Sequence, residues 1–272
     1  MILSKIKAHF GVEVLVQAPS GELSRIKISR NSGHVVGDKV QVTDGRLTRL
    51  DRENELIRKT PFGNQVIAAN LNYVGIVISY TPKTPNYFID QIIVSCRSVG
   101  IEPFILVTKL DKSESGDFFG NIKSIYQNSV PVLAGVTELK TFLKPARYIF
   151  VGVSGAGKST LINHLIPDAA QKVGSLSEHS EQGRHTTSGS LLLDLPGGGE
   201  LIDSPGVRDF TPVDLNAEEL ARYFPGFENL MDRPCRFRNC KHLTDPGCAI
   251  REYADPKVYQ RYLDFKTQHG TV

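Results

Sequence analysis

Three structural units in series are expected from this chain. They are an all-β barrel over residues 1–63, an α/β domain with a parallel sheet over 64–212, and a short helical segment held by a metal over 213–272. Three observations point there. The first sixty residues are short alternating runs cut by turn residues. The middle is built of continuous apolar runs, one of which leads through a glycine-rich loop into a helical stretch. Near the end, three of the four cysteines fall within fourteen residues, beside a histidine.

At 272 residues the chain is too long for one small domain. A hydrophobic share of 40% with 22% charged residues is that of an ordinary globular protein. No apolar run approaches the ~18–20 residues of a membrane span. Met1-Ile2-Leu3-Ser4-Lys5-Ile6-Lys7 lacks the apolar stretch and cleavage site of a signal peptide, so a cytoplasmic protein is expected. The net charge is +3, yet residues 1–60 alone hold 11 Lys+Arg against 7 Asp+Glu, a local surplus of +4. A basic N-terminal module suits contact with phosphate backbones.

Val12–Val16, Arg25–Ile28, Lys39–Val42 and Glu55–Arg58 read as strands, separated by Asn31-Ser32-Gly33, Gly37-Asp38 and Asp44-Gly45. Several short strands in sixty residues suggest a small barrel, with an OB-fold the leading form. Val74–Ile78 is a strand buried on both faces, followed by a helix to about Val99 that carries Cys96 as a buried residue. Further strands are expected at Phe104–Val107, Val130–Leu133 and Tyr148–Val151. Leu191–Leu193 and Glu200–Ile202 form a hairpin across Gly197-Gly198-Gly199. The polar, aperiodic stretch from Gln171 to Ser188 reads as a loop.

The run Gly152-Val153-Ser154-Gly155-Ala156-Gly157-Lys158-Ser159 fits G-x-x-x-x-G-K-[ST] between a strand and a helix, with Thr160 continuing it. Glycines there let backbone N–H groups converge on phosphate oxygens, and the helix N-terminus favours negative charge. Lys158 supplies a charge to the terminal phosphates, and the Ser159 hydroxyl is suited to Mg²⁺. Asp203-Ser204-Pro205-Gly206 closes a later strand. Asp203 there would hold Mg²⁺ through water, and Gly206 would offer its N–H to the γ-phosphate.

Thr108-Lys109-Leu110-Asp111 ends another strand. A carboxylate at Asp111 pairs with the N1–H and exocyclic amine of guanine, donors that adenine lacks, and Lys109 would pack its stem along the base. Thr108 stands where the usual guanine loop has asparagine, and its hydroxyl replaces one of the amide's contacts but not both. The second guanine loop, normally a Ser-Ala pair, has Leu133-Ala134-Gly135 as its candidate. The guanine loop precedes the phosphate loop, whereas an ordinary GTPase has them in the opposite order. This rotation indicates a circularly permuted GTPase domain. A P-loop ATPase is the alternative that Asp111 opposes; a zinc-stabilised RNA-binding module with vestigial hydrolysis is another.

Gly183-Arg184-His185-Thr186-Thr187 occupies the position of a first switch. Thr187 is the first choice to complete Mg²⁺ coordination and Thr186 the second. Val207 follows Gly206, where many GTPases carry a water-orienting glutamine. His185 is the best local substitute, since imidazole can orient a water near neutral pH.

Cys235-x4-Cys240-x-His242-x5-Cys248 supplies three thiolates and an imidazole, a full tetrahedral set for structural Zn²⁺ with no open position. Arg233, Arg236, Arg238 and Lys241 interleave with the ligands, as suits an approach to RNA phosphates.

Taken together these motifs resemble the RsgA (YjeQ/YloQ) family of circularly permuted GTPases dependent on the small ribosomal subunit. The match spans nearly the whole chain. The resemblance implies an N-terminal OB-fold RNA-binding domain (1–63), a permuted P-loop GTPase domain (64–212) and a helical zinc-binding domain (213–272). It also implies GTP hydrolysis to GDP stimulated by the small (30S) subunit and its rRNA, a role in late subunit maturation, a monomeric protein, and His185 as the hydrolytic histidine.

Overall fold

The computed structural model describes residues 2–60, 63–111, 115–167, 169, 189–204 and 215–268. Eleven of the described strands form one sheet. Its α/β half contains β8 (Tyr73–Ser79), β9 (Glu102–Thr108), β10 (Val132–Ala134), β11 (Arg147–Val151), β12 (Ser190–Asp194) and β13 (Glu200–Asp203). The order β10-β9-β8-β11-β13 is parallel throughout, and β12 returns antiparallel against β13 as the expected hairpin. Parallel strands covered on both faces must be apolar on both, and Val74, Ile76, Val77 and Ile78 are all buried. Helices α1 (Asn86–Ser98), α2 (Ser115–Tyr126), α3 (Gly135–Phe142) and α4 (Lys158–Leu165) connect these strands.

The sheet does not stop at the α/β half. β1 (Ile2–His9) pairs with β12 through Ala8↔Leu191 and His9↔Ser190, then with β2 (Glu13–Gln17), which pairs with β3 (Leu23–Lys27). β4 (Lys39–Thr43) joins the other end of β1 and carries β5 (Arg46–Arg49). A bulge between Ile6 and Ala8 splits β1 between two cores. Ile6 packs with Val14, Val16, Ile26 and Val40 in the N-terminal core, whereas Ala8 and Leu15 join the core beneath the phosphate loop. A separate hairpin, β6 (Glu55–Thr60) with β7 (Gly63–Ala69), crosses the boundary expected at residue 63.

Polar contacts brace the N-terminal half and bind it to the α/β half. Asp38 is fully buried and accepts two hydrogen bonds from Arg52, at 2.6 Å (Nε) and 2.9 Å (Nη2). Arg147, at the start of β11, donates to the Gly37 carbonyl at 2.7 Å, and Asn70 donates to the same oxygen at 2.9 Å. Glu200 bridges Arg147 and Lys5, and Lys7 meets Asp194 at 2.7 Å. Burial works against the Glu200 carboxylate, but Lys5 and Arg147 outweigh it and hold its pKa below the ordinary value.

The C-terminal segment has α5 (Ala217–Tyr223), a 3₁₀ turn (Glu228–Leu230), α6 (Ala249–Tyr253) and α7 (Pro256–Gln268). Asn216 and Glu219 form a reciprocal capping box that starts α5. Phe224, Phe227, Tyr262 and Phe265 make its core, and Val94 of α1 is part of the same cluster. Helix α1 is therefore buried on two sides. Ile89, Ile92, Ile93 and Cys96 face the sheet, as the apolar run predicts, and the opposite side carries the C-terminal segment. No described helix is long and apolar enough to cross a membrane.

Candidate active site and metal centre

Every motif described in the α/β half leaves the carboxyl end of a parallel strand, so all of them meet along one edge of the sheet. The glycine-rich loop runs from β11 to α4 across the end of β8. A Cβ on Gly152 would stand 2.2 Å from the Val77 carbonyl oxygen, so no other residue fits there. Gly157 takes a left-handed φ of 95° as the residue before α4 and turns the chain into the helix. Ala156 is buried beneath the loop; Ser154, Gly155, Ser159 and Thr160 are exposed on its outer side. The Lys158 ammonium donates to the carbonyls of Gly152 at 2.5 Å and Val153 at 3.0 Å, folded over the loop it belongs to.

Asp203 ends β13 on the same edge, near enough to Lys158 for the ammonium to act on its carboxylate. Burial pushes the Asp203 pKa up and Lys158 works against that rise. A half-buried carboxylate poised beside an ammonium suits a divalent cation held between phosphate and protein. Ser190 and Ser204 are hydrogen-bonded hydroxyl to hydroxyl at 2.9 Å across the same hairpin. Arg184, His185, Thr186, Thr187, Gly206 and Val207 lie outside the described residues.

Thr108 ends β9, two strands from the phosphate loop. Its hydroxyl lies 2.6 Å from the Ala156 carbonyl and 3.1 Å from the Ile78 carbonyl, bridging both strands to that loop. Lys109 adopts a left-handed φ of 57°, and its ammonium donates to the Thr81 carbonyl at 2.8 Å. Asp111 is exposed beside them. A Cβ on Gly135, just after β10, would stand 3.7 Å from the Leu110 side chain. The two guanine-loop candidates are thus neighbours. Sequence reasoning found the residues here but not the bridge made by Thr108, because no pattern of residue types reports a cross-strand hydroxyl contact.

The ligand atoms of Cys235, Cys240, His242 and Cys248 lie within 4.8 Å of one another. Around a tetrahedral Zn²⁺ with bonds near 2.3 Å, sulfur atoms stand about 3.8 Å apart, so the donor set fits that ion. His242 turns Nδ1 toward the thiols, 3.6 Å from both Cys235 and Cys248 Sγ. Burial pushes the His242 pKa down, with Lys266 adding to the effect, which keeps the ring neutral as a ligand requires. Burial, with the Cys248 and Cys235 thiols beside it, pushes the Cys240 thiol up to about 12. A cation at the centre removes that penalty. Tyr259 donates to the His242 and Leu243 carbonyls at 3.1 Å and fixes the ligand loop from α7.

Outside the ligands, Arg233 lies over the Tyr253 ring at 4.6 Å and Arg236 over the Phe237 ring at 5.5 Å. Both rings are exposed, as are Arg238 and Lys241. On the opposite side, Arg97 of α1 pairs with Glu228 at 2.7 Å and also donates to the Tyr223 carbonyl. Arg261 of α7 meets Asp90 of α1 at 3.0 Å. The segment that carries the Cys235–Cys248 cluster is therefore seated on α1, the first helix of the α/β half.

Comparison with known proteins agrees with this geometry. The fold is similar to that of YjeQ from Thermotoga maritima, with a TM-score of 0.75, 24% identity and 98% of each chain covered. It is also similar to YloQ, a circularly permuted GTPase, with a TM-score of 0.70 and 23% identity over 98% of this chain and 94% of that one. In sequence the chain is 37% identical to the small ribosomal subunit biogenesis GTPase RsgA of Haemophilus influenzae (strain PittEE), covering 94% of this chain and 82% of the relative. The protein of the same name from Pseudomonas fluorescens (strain SBW25) is 36% identical, with 94% and 81% covered. Residues 49–212 match the family model described as RsgA GTPase. The chain, with Thr108–Asp111 ahead of its glycine-rich loop, belongs to the RsgA GTPase family.

Proposed function

We propose that this GTPase hydrolyses GTP on the small ribosomal subunit, is stimulated by it, and acts late in its maturation. The observation that carries the reading is the convergence of the Gly152–Thr160 loop, Asp203 and the Thr108–Asp111 loop on one sheet edge. In this reading the Gly152–Ser159 backbone and Lys158 bind the phosphates, and Asp111 selects the guanine edge. Mg²⁺, held by Ser159, Asp203 and Thr187, would neutralise charge developing on the transferred phosphoryl group. Gly206 serves the γ-phosphate, and His185 orients the attacking water in place of a glutamine.

The RNA-facing surfaces are proposed to be an OB-type barrel over residues 1–63 and the zinc-binding segment over 213–272, flanking a nucleotide domain over 64–212. The local surplus of +4 in residues 1–60 and the arginine-covered aromatic rings at Tyr253 and Phe237 support this. Zn²⁺ on Cys235, Cys240, His242 and Cys248 would be structural. Work on ribosomal subunits makes the protein a cytoplasmic one, acting as a monomer. The test is GTP turnover with and without purified small subunits. A large acceleration is expected, and equal rates across a range of subunit concentrations would refute the proposal.

A further inference from the structure

The guanine loop of this chain carries a hydroxyl where the usual loop carries an amide, and that hydroxyl is already engaged. Thr108 Oγ1 has one proton to give, and both atoms within its reach are acceptors, the carbonyl oxygens of Ala156 at 2.6 Å and Ile78 at 3.1 Å. Ala156 is fully buried, so its carbonyl gains from a protein donor. A Cβ on Gly157 would stand 3.5 Å from Thr108 Oγ1, so the side chain lies over the turn into α4. Nearby, the Lys109 ammonium is directed to the Thr81 carbonyl at 2.8 Å.

Guanine N7 is an acceptor and is read only by a donor. We infer that Thr108 is a clamp on the phosphate loop and that this site does not read guanine N7. Specificity then rests on the N1–H and N2 edge facing Asp111. This inference rests on the nucleotide site proposed above and narrows what that site recognises. An amide at position 108 has two N–H donors, enough to hold a loop carbonyl and reach N7 together; a hydroxyl has one. Thr108 is thus a positioning residue for the phosphates.

The test compares GDP with 7-deaza-GDP, which replaces N7 by C–H, in competition against a fluorescent GDP on the full-length protein. A neutral hydrogen bond is worth roughly two- to tenfold in affinity. Dissociation constants within about twofold of each other are expected. A larger loss for the deaza nucleotide would show that N7 is read and would overturn the inference. Absence of GDP binding altogether would instead overturn the nucleotide site itself. Thr108→Val, which keeps the shape and removes the proton, should weaken both nucleotides by the same factor. Unchanged affinity in that variant would remove the clamp. Thr108→Asn should bring discrimination against 7-deaza-GDP, a change that a purely structural role would not produce.

Discussion

Arg261 of α7 places Nε 3.0 Å from Oδ2 of Asp90, a fully buried carboxylate in the middle of α1. The guanidinium also lies over the rings of Tyr126 and Phe224 at 5.0 and 5.2 Å, and donates to the Pro225 carbonyl at 2.5 Å. One side chain thereby touches the nucleotide domain and the core of the metal-binding segment. Burial pushes the Asp90 pKa up to about 7 from an ordinary 3.8, and Arg261 offsets only part of it.

Stability should therefore depend on pH through Asp90. Between the ordinary value of 3.8 and about 7 the folded chain holds a proton that the unfolded chain has released. The contribution is fully present below 3.8 and is lost as pH rises through 7. Asp90→Asn cannot titrate. From pH 5.5 to 8.5 the wild type should lose about 2 kcal/mol relative to this variant, several degrees in Tm. Parallel Tm curves for the two proteins would show that Asp90 is ionised throughout.

Asp38 offers a test of the polar network inside the N-terminal half. Its two bonds from Arg52 are made with both side chains buried. Asp38→Ala leaves the guanidinium with Glu55 and the Gly33 carbonyl but without its buried carboxylate, a loss of roughly 2–3 kcal/mol. Denaturant unfolding should show a lower midpoint, and a change below about 1 kcal/mol would mean water replaces the carboxylate there.

Removal of the metal should act locally. Cys240→Ala or a strong chelator should lower the Tm and make the remaining cysteines of the cluster reactive, while GDP affinity stays near that of the wild type. The nucleotide edge draws no described ligand from the Cys235–Cys248 loop. Zinc content near zero in freshly purified protein would sink the metal assignment.

The RNA contacts proposed around that loop are of two kinds that salt dependence can separate. Arg238→Ala should weaken subunit binding and reduce its salt slope by about one. Tyr253→Ala removes a ring that Arg233 covers at 4.6 Å, and it should weaken binding with little change in salt slope. Matching salt profiles for both variants would argue against stacking.

His185→Ala should lower kcat and leave GTP affinity nearly intact, the pattern of an interaction made in the transition state. A raised Kd with unchanged kcat would give His185 a binding role instead.

The α/β half was the most legible part of the sequence, because strands buried on both faces are apolar without interruption. Val74–Ile78, Phe104–Val107 and Tyr148–Val151 all fall inside observed strands, and the Leu191 and Glu200 runs pair as a hairpin. β5, Arg46–Arg49, has one apolar residue and left no alternation to read. β1 carries no clean alternation, since Leu3 is exposed while Ser4 and Lys7 are buried, and so leaves no period-two signal. Its pairing with β12 joins residues some 180 positions apart in sequence, and no local signal encodes that. The strand expected at Val130–Leu133 begins two residues later, at Val132, after a turn following α2. The Cys235–Cys248 cluster and the glycine-rich loop were legible because such chemistry, where it occurs, dictates residue type and spacing. The Asp90–Arg261 and Thr108–Ala156 contacts were not, since each joins segments with no shared pattern.

The β1–β12 pairing changes what a truncation can deliver. In many multidomain proteins a nucleotide domain can be cut free at a linker, but here residues 1–60 supply the neighbour to one side of β12. Deleting them would bare the edge of β12 at Ser190 and Leu191, where His9 and Ala8 pair, beside the apolar Leu192 and Leu193. Such an edge is a template for another strand. A chain shortened in this way would be prone to self-association, and its turnover would report on aggregates as much as on the catalytic unit. Enzymology on this protein belongs with the N-terminal strands left in place.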